Sequence, residues 1–212
     1  MNVRTTGLLV ALTLCAGYVD AVAFFGLGVF TANMTGNTVL LGGAITGRAL
    51  NVQLPGAIGI ALPAISIAAF AAGAILAAIG LRGETGRPPV RTISMLIAIV
   101  ALFSGAALLQ LAGTDSTVAV ALLSAAMGVQ TVVAIRAGVP GVSTTFVTGT
   151  LVTAIVSFEG LPKPEPAEGR INLAIWGCYL VGAVAGTAAL RLLGPHALWL
   201  PAAVVALLTL MV

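Results

Sequence analysis

Charge is what this sequence has least of. Of 212 residues, 7% are Asp, Glu, Lys or Arg, with one histidine, His196, and two cysteines, Cys15 and Cys178. One histidine and two distant cysteines exclude a zinc-type ligand spacing and a disulfide framework. Both cysteines fall in apolar runs, where they read as small buried side chains. His196 stands beside Pro195 at a loop edge, and there is no second buried acid, Cys–His pair or nucleotide loop. The chain therefore reads as no enzyme and implies no cofactor. Its basic residues are scattered singly instead of forming a patch, which argues against nucleic acid.

What fills the space is apolar. Hydrophobic residues make up 59% of the chain, with a mean hydropathy of +1.15, far outside the range of a soluble domain. Six runs approach the roughly 20 residues that cross a bilayer: Leu8–Phe30, Pro55–Leu81, Thr92–Gly113, Thr117–Ile135, Ile171–Leu190 and, marginally, His196–Val212. Arg4 ahead of an apolar run and Ala21-Val22-Ala23 imitate a secretory signal, but the run continues through Phe30 and reads as the first span.

Inside that first run sits Asp20. The other five acids, Glu84, Asp115, Glu159, Glu165 and Glu168, fall in predicted loops. A carboxylate at a helix centre costs roughly 2.5–3.5 kcal/mol on insertion scales, so an intramembrane acid marks a functional site by default. Asp20 either takes up a proton or accepts a structural hydrogen bond from Asn33, Asn37 or Gln130. Arg136 is its nearest counter-charge by sequence, though its place at a helix end also suits snorkelling to the interface.

The two halves resemble each other. Thr35-Gly36-Asn37 lines up with Thr148-Gly149-Thr150, and at the same offset Gly73 falls on Gly186. With a two-residue gap, Gly17-Tyr18-Val19-Asp20 lines up with Gly128-Val129-Gln130-Thr131. The short apolar segments decide topology. Thr35–Gly47 makes roughly 20 Å of helix against a hydrocarbon core of about 30 Å, and Thr148–Phe158 is shorter still. If both re-enter, seven Lys and Arg residues lie inside and only Arg48 and Arg191 outside; if both span, the split is four against five. The positive-inside rule favours re-entry. Three crossings per half then invert the halves, a common transporter plan.

Ala32 to Asn37 and Val142 to Thr150 supply the polar, Gly-containing backbone that is tolerated at membrane depth only where it is buried or lines a wet cavity. Thr35 and Thr148 are placed to cap short helices whose N-termini suit an anionic or strongly polar solute. The alternative is that these hydroxyls and amides, with Gln130, simply join helices. Gly182-x-x-x-Gly186 and Ala69-x-x-x-Gly73 read as packing motifs. Pro63 is expected to kink its helix, and Tyr179 and Trp199 read as packing or interface aromatics.

At Gly17-Tyr18-Val19-Asp20-Ala21, at Ala32-Asn33-Met34-Thr35-Gly36-Asn37-Thr38-Val39, at Gly128 with Gln130, and at Thr144 through Leu151, the chain resembles the YoaK-like family of small bacterial inner-membrane proteins. Thr131 departs from that pattern, where Asn is expected. The resemblance implies a multi-span inner-membrane protein, sometimes labelled a transporter, and supplies no substrate.

These readings predict an all-α polytopic membrane protein of about six transmembrane helices plus two short re-entrant helices, as an inverted 3+3 repeat. The single transmembrane domain covers 1–212, with repeats over about 5–81 and 115–191, each followed by a further helix, 92–113 and 196–212. The expected place is the bacterial inner membrane, with both termini cytoplasmic. The expected function is a secondary transporter or permease of a small polar or anionic solute, proton-coupled through Asp20. Its solute-binding residues are Asp20, Asn33, Thr35, Gly36, Asn37, Gln130, Thr131, Thr145, Thr148, Gly149 and Thr150. The alternatives are a passive channel and a non-transporting structural membrane protein. Expected partners are the lipid bilayer, the solute, protons and a second copy as homo-oligomer.

Overall fold

A computed structural model describes residues 3–51, 59–83, 90–137, 149, 151–152, 155 and 166–211. Among the described residues the regular structure is all helical: α1 (Val3–Leu27), α2 (Met34–Leu50), α3 (Ala61–Gly80), α4 (Val90–Leu111), α5 (Ser116–Arg136), α6 (Pro166–Leu193), a 3-10 turn (Gly194–Leu198) and α7 (Trp199–Met211). Gly149, Leu151, Val152 and Ile155 are also helical; Thr145, Thr148 and Thr150 lie outside the described residues.

Among the described residues, four separate helices are long and apolar enough to cross a membrane, and a fifth such stretch, Arg170–Met211, joins α6, the 3-10 turn and α7. The chain turns at Pro195, whose ring cannot continue the preceding helical hydrogen bonds. α7 has 13 residues, or about 20 Å. α2 has 17 residues, about 25 Å, so it is longer than the Thr35–Gly47 expected. It continues through Arg48 to a left-handed Asn51, whose N–H closes onto the Arg48 and Gly47 carbonyls. Pro63 stands in the first turn of α3. A missing N–H costs nothing there, so it starts a helix instead of kinking one.

α1 and α5 are the inner helices: 67% and 61% of their apolar windows are buried, against 22% and 28% for α3 and α4. Each inner helix has one tight partner, α1 with α6 and α5 with α3, while α4 packs on α5 and α7, and α2 packs on α3. Glycine makes the tight pairs possible. A Cβ on Gly17 would collide with the Tyr179 carbonyl, and one on Gly182 with that of Leu14. On the other pair, a Cβ on Gly128 would strike the Phe70 carbonyl and one on Gly73 that of Ala125. Where lipid is as apolar as the side chains, such close backbone approach is what holds helices together. By contact, Gly73 corresponds to Gly182, one turn before the Gly186 suggested by the sequence offset. Gly186 has its own contact, on the Tyr18 carbonyl.

Candidate functional site

The apolar run that begins in α1 does not continue as helix to Phe30. Gly28 takes φ +82°, a conformation that glycine adopts without strain, and its N–H closes on the Phe24 carbonyl. Residues 28–33 then run through the interior, with Val29, Thr31 and Ala32 buried, before α2 starts at Met34. Backbone in that position needs partners for its polar groups. Phe30 covers the turn, its ring stacked on that of Phe24 at 4.4 Å between centroids. A Cβ on Gly36 would come within 2.6 Å of the Phe30 ring, which explains the glycine there.

Asp20 supplies most of the partners and is 2% exposed. Its Oδ1 accepts the Thr31 N–H (2.7 Å), the Ala32 N–H (2.6 Å) and the Thr31 hydroxyl (3.2 Å), and its Oδ2 accepts the Asn33 N–H (3.0 Å). From α6, the Tyr179 hydroxyl lies 2.6 Å from Oδ2. Five donors converge on one carboxyl group. Asp20 takes no charged partner among the described residues, and Arg136 is exposed in the last turn of α5. The link to Asn33 goes through its backbone N–H instead of its side chain.

Asn37 makes the second clamp. Fully buried, it accepts the Phe30 N–H at Oδ1 (2.9 Å) and donates from Nδ2 to the Phe30 carbonyl (2.7 Å) and to Ser66 Oγ (2.8 Å). The two backbone groups of Phe30 fix which amide atom is which. Ser66 donates to the Phe30 carbonyl (2.8 Å) and lies 2.8 Å from Ser124 Oγ. With its one hydrogen spent on Phe30, Ser66 must receive that last bond, so Ser124 is the donor. The clamp thus ties α2, α3 and α5 to the turn.

The remaining expected residues divide. Asn33 is the N-cap of α2, accepting the Gly36 N–H at 3.1 Å. It displaces Thr35, which lies one residue inside the helix and faces outward. Gln130 is fully buried and donates to the Leu12 carbonyl at 2.8 Å. Thr131 is half-buried and bonds back to the Met127 carbonyl of its own helix. Gly149 is half-buried and helical. At the helix N-terminus expected to suit an anionic solute, the Gly36 N–H is taken by Asn33, and the N–H groups of residues 31–33 just ahead of it are taken by Asp20.

Tyr179, Ser66 and Ser124 are the members that sequence reasoning missed. The two serines carried a weak signal, as lone hydroxyls in otherwise apolar helices; Tyr179 carried none. No three His, Cys, Asp or Glu residues gather to hold a metal among the described residues.

Comparison with known proteins agrees with the membrane class. The family described as "Protein of unknown function (DUF1275)" matches residues 8–211. The UPF0700 transmembrane protein YoaK of Bacillus subtilis (strain 168) is 36% identical over 157 residues, covering 72% of this chain and 67% of that protein. No solved structure matches. A family match over nearly the whole chain, together with this relative, places the protein among multi-pass transmembrane proteins: it belongs to the DUF1275 family.

Proposed function

We propose that the protein is a permease of the bacterial inner membrane that moves a small polar solute, its moving part being the segment where α1 breaks and α2 begins. One observation carries the reading: a buried, non-helical stretch, residues 28–33, is held inside an apolar bundle by a carboxylate from the preceding helix. Broken helices of this kind recur at the binding sites of secondary transporters. The halves are taken as inverted, α2 as re-entrant and both termini as cytoplasmic, supported by the seven-against-two distribution of basic residues. The reading assigns no catalysis to the chain.

Proton coupling through Asp20 belongs to the same proposal. The three backbone N–H groups on Asp20 can only donate, whereas the Tyr179 hydroxyl can also accept. Protonated Asp20 keeps the turn and reverses its bond to Tyr179, so α6 is where the proton is felt. A second reading is favoured by the completeness of the Asp20 and Asn37 clamps: a non-transporting scaffold whose polar residues lock helices.

Reconstitution separates them. Liposomes containing the protein and an internal pH dye are mixed with a panel of amides, polyols, amino acids and monocarboxylates while light scattering follows solute entry. Entry of one class faster than in protein-free liposomes, with an internal pH change lost in Asp20→Asn, is expected. Equal rates across the panel refute the permease.

A further inference from the structure

Among the buried polar atoms that the clamps leave unused, beside Asn172 Oδ1 on α6, is Gln130 Oε1, an acceptor where the turn offered donors. Gln130 is fully buried, and its Oε1 has no hydrogen-bond partner. The amide is not reversed: the Leu12 carbonyl, 2.8 Å away, can face only the NH2 end. An acceptor is therefore left open on α5 where it meets α1. A buried acceptor without a donor is costly, and each such group asks for an explanation. Gln110 Nε2 also lacks a partner, but that residue is only half-buried, near the end of α4.

Gln130 Oε1 is a neutral acceptor beside Leu12, about 12 Å along α1 from Asp20. Asp20 is the buried acid of the described core, and its oxygens are filled by five donors. A cation thus finds no free carboxylate on Asp20, and a carboxylate, which has acceptors only, finds no donor at Gln130 Oε1. We infer that Gln130 Oε1 is a recognition point for a small uncharged solute bearing N–H or O–H donors, an amide or polyol instead of a carboxylate. This names the solute class of the permease proposed above and rests on that reading only for the solute's passage, not for its binding.

The test is equilibrium binding to purified protein in detergent, by calorimetry, with acetamide, N,N-dimethylacetamide and sodium acetate as probes. Acetamide is expected to bind, while dimethylacetamide, which has no N–H, and acetate bind about tenfold more weakly or not at all. Gln130→Met, close in size and without the acceptor, loses the preference for acetamide. Absence of acetamide binding to the unaltered protein, equal binding of dimethylacetamide or acetate, or an undiminished preference in Gln130→Met overturns the inference. The comparison of probes on the unaltered protein decides the matter even if the variant does not fold. Binding without flux in liposomes leaves this site standing and removes the permease; flux of another solute class without acetamide binding does the reverse.

Discussion

Tyr179 on α6 places its hydroxyl 2.6 Å from Asp20 Oδ2, and the same tyrosine's carbonyl is what Gly17 packs against. One residue therefore serves both the backbone contact and the polar contact between α1 and α6. Tyr179→Phe keeps the packing and removes one hydrogen bond to a carboxylate, worth about 1.5–3 kcal/mol when the acceptor is charged. Thermal unfolding in detergent should fall accordingly, with the α1–α6 distance, read by spin labels, unchanged.

Asp20→Asn disturbs the turn itself, where Tyr179→Phe does not. An asparagine brings an NH2 group to a place lined by N–H donors, so at least one backbone N–H of residues 31–33 loses its acceptor at about 1–3 kcal/mol. A stability equal to that of the parent would show that the five-donor arrangement is not the resting state.

Asn37→Ala leaves the Phe30 N–H without its partner, while the Phe30 carbonyl keeps Ser66. The expected loss is about 1–3 kcal/mol, with faster hydrogen exchange at Phe30. Thr35→Ala, on the outward face of α2, serves as the control and should be near neutral.

Gly128→Ala and Gly42→Ala should move in opposite directions. The first forces a Cβ into the Phe70 carbonyl, and overpacking of that kind costs about 1–3 kcal/mol. The second meets open space on α2 and gains helix propensity of up to about 1 kcal/mol. Paired thermal melts read the contrast.

Asp115, outside the spans, gives a pH signature. Hydrogen bonds from Thr117, the side chain's first and then the backbone's, hold its carboxyl below the ordinary value of 3.8. A depressed folded-state value means the cap's contribution is complete above about pH 4 and is lost as pH falls through the folded value. Asp115→Asn keeps a good N-cap and should flatten that part of the stability curve.

How much of this was legible in the sequence depends on distance along the chain. The spans were legible because membrane helices are long and apolar, and Asp20, Asn33 and Asn37 stood out as polar residues in apolar surroundings. The break after Leu27 was blurred because Gly28, Val29 and Phe30 prolong the hydrophobic run that the helix has already left. Thr35 and Asn33 are both capping residues, and only the geometry of the turn decides for Asn33. In the sequence Tyr179 reads as packing, because its partner Asp20 is far away along the chain and adjacent only once α1 and α6 pair. The segment with Thr145, Thr148 and Thr150 lies outside the described residues, so its reading stays with the sequence.

The pairing of α1 with α6 sets an order of assembly. At the ~5–20 residues per second of synthesis, α1 enters the bilayer on the order of ten seconds before its glycine partner exists. Throughout that interval the small-residue surface of Gly17 faces lipid or the insertion machinery, and Asp20 has only the turn beside it to satisfy its oxygens. The turn is thus the first partner the carboxylate can find, and Tyr179 the last. The end of α1, the turn and the start of α2 are made first, with Asp20 on the turn's N–H groups and Asn37 on Phe30, and wait in the membrane for α3 and α6 to close around them.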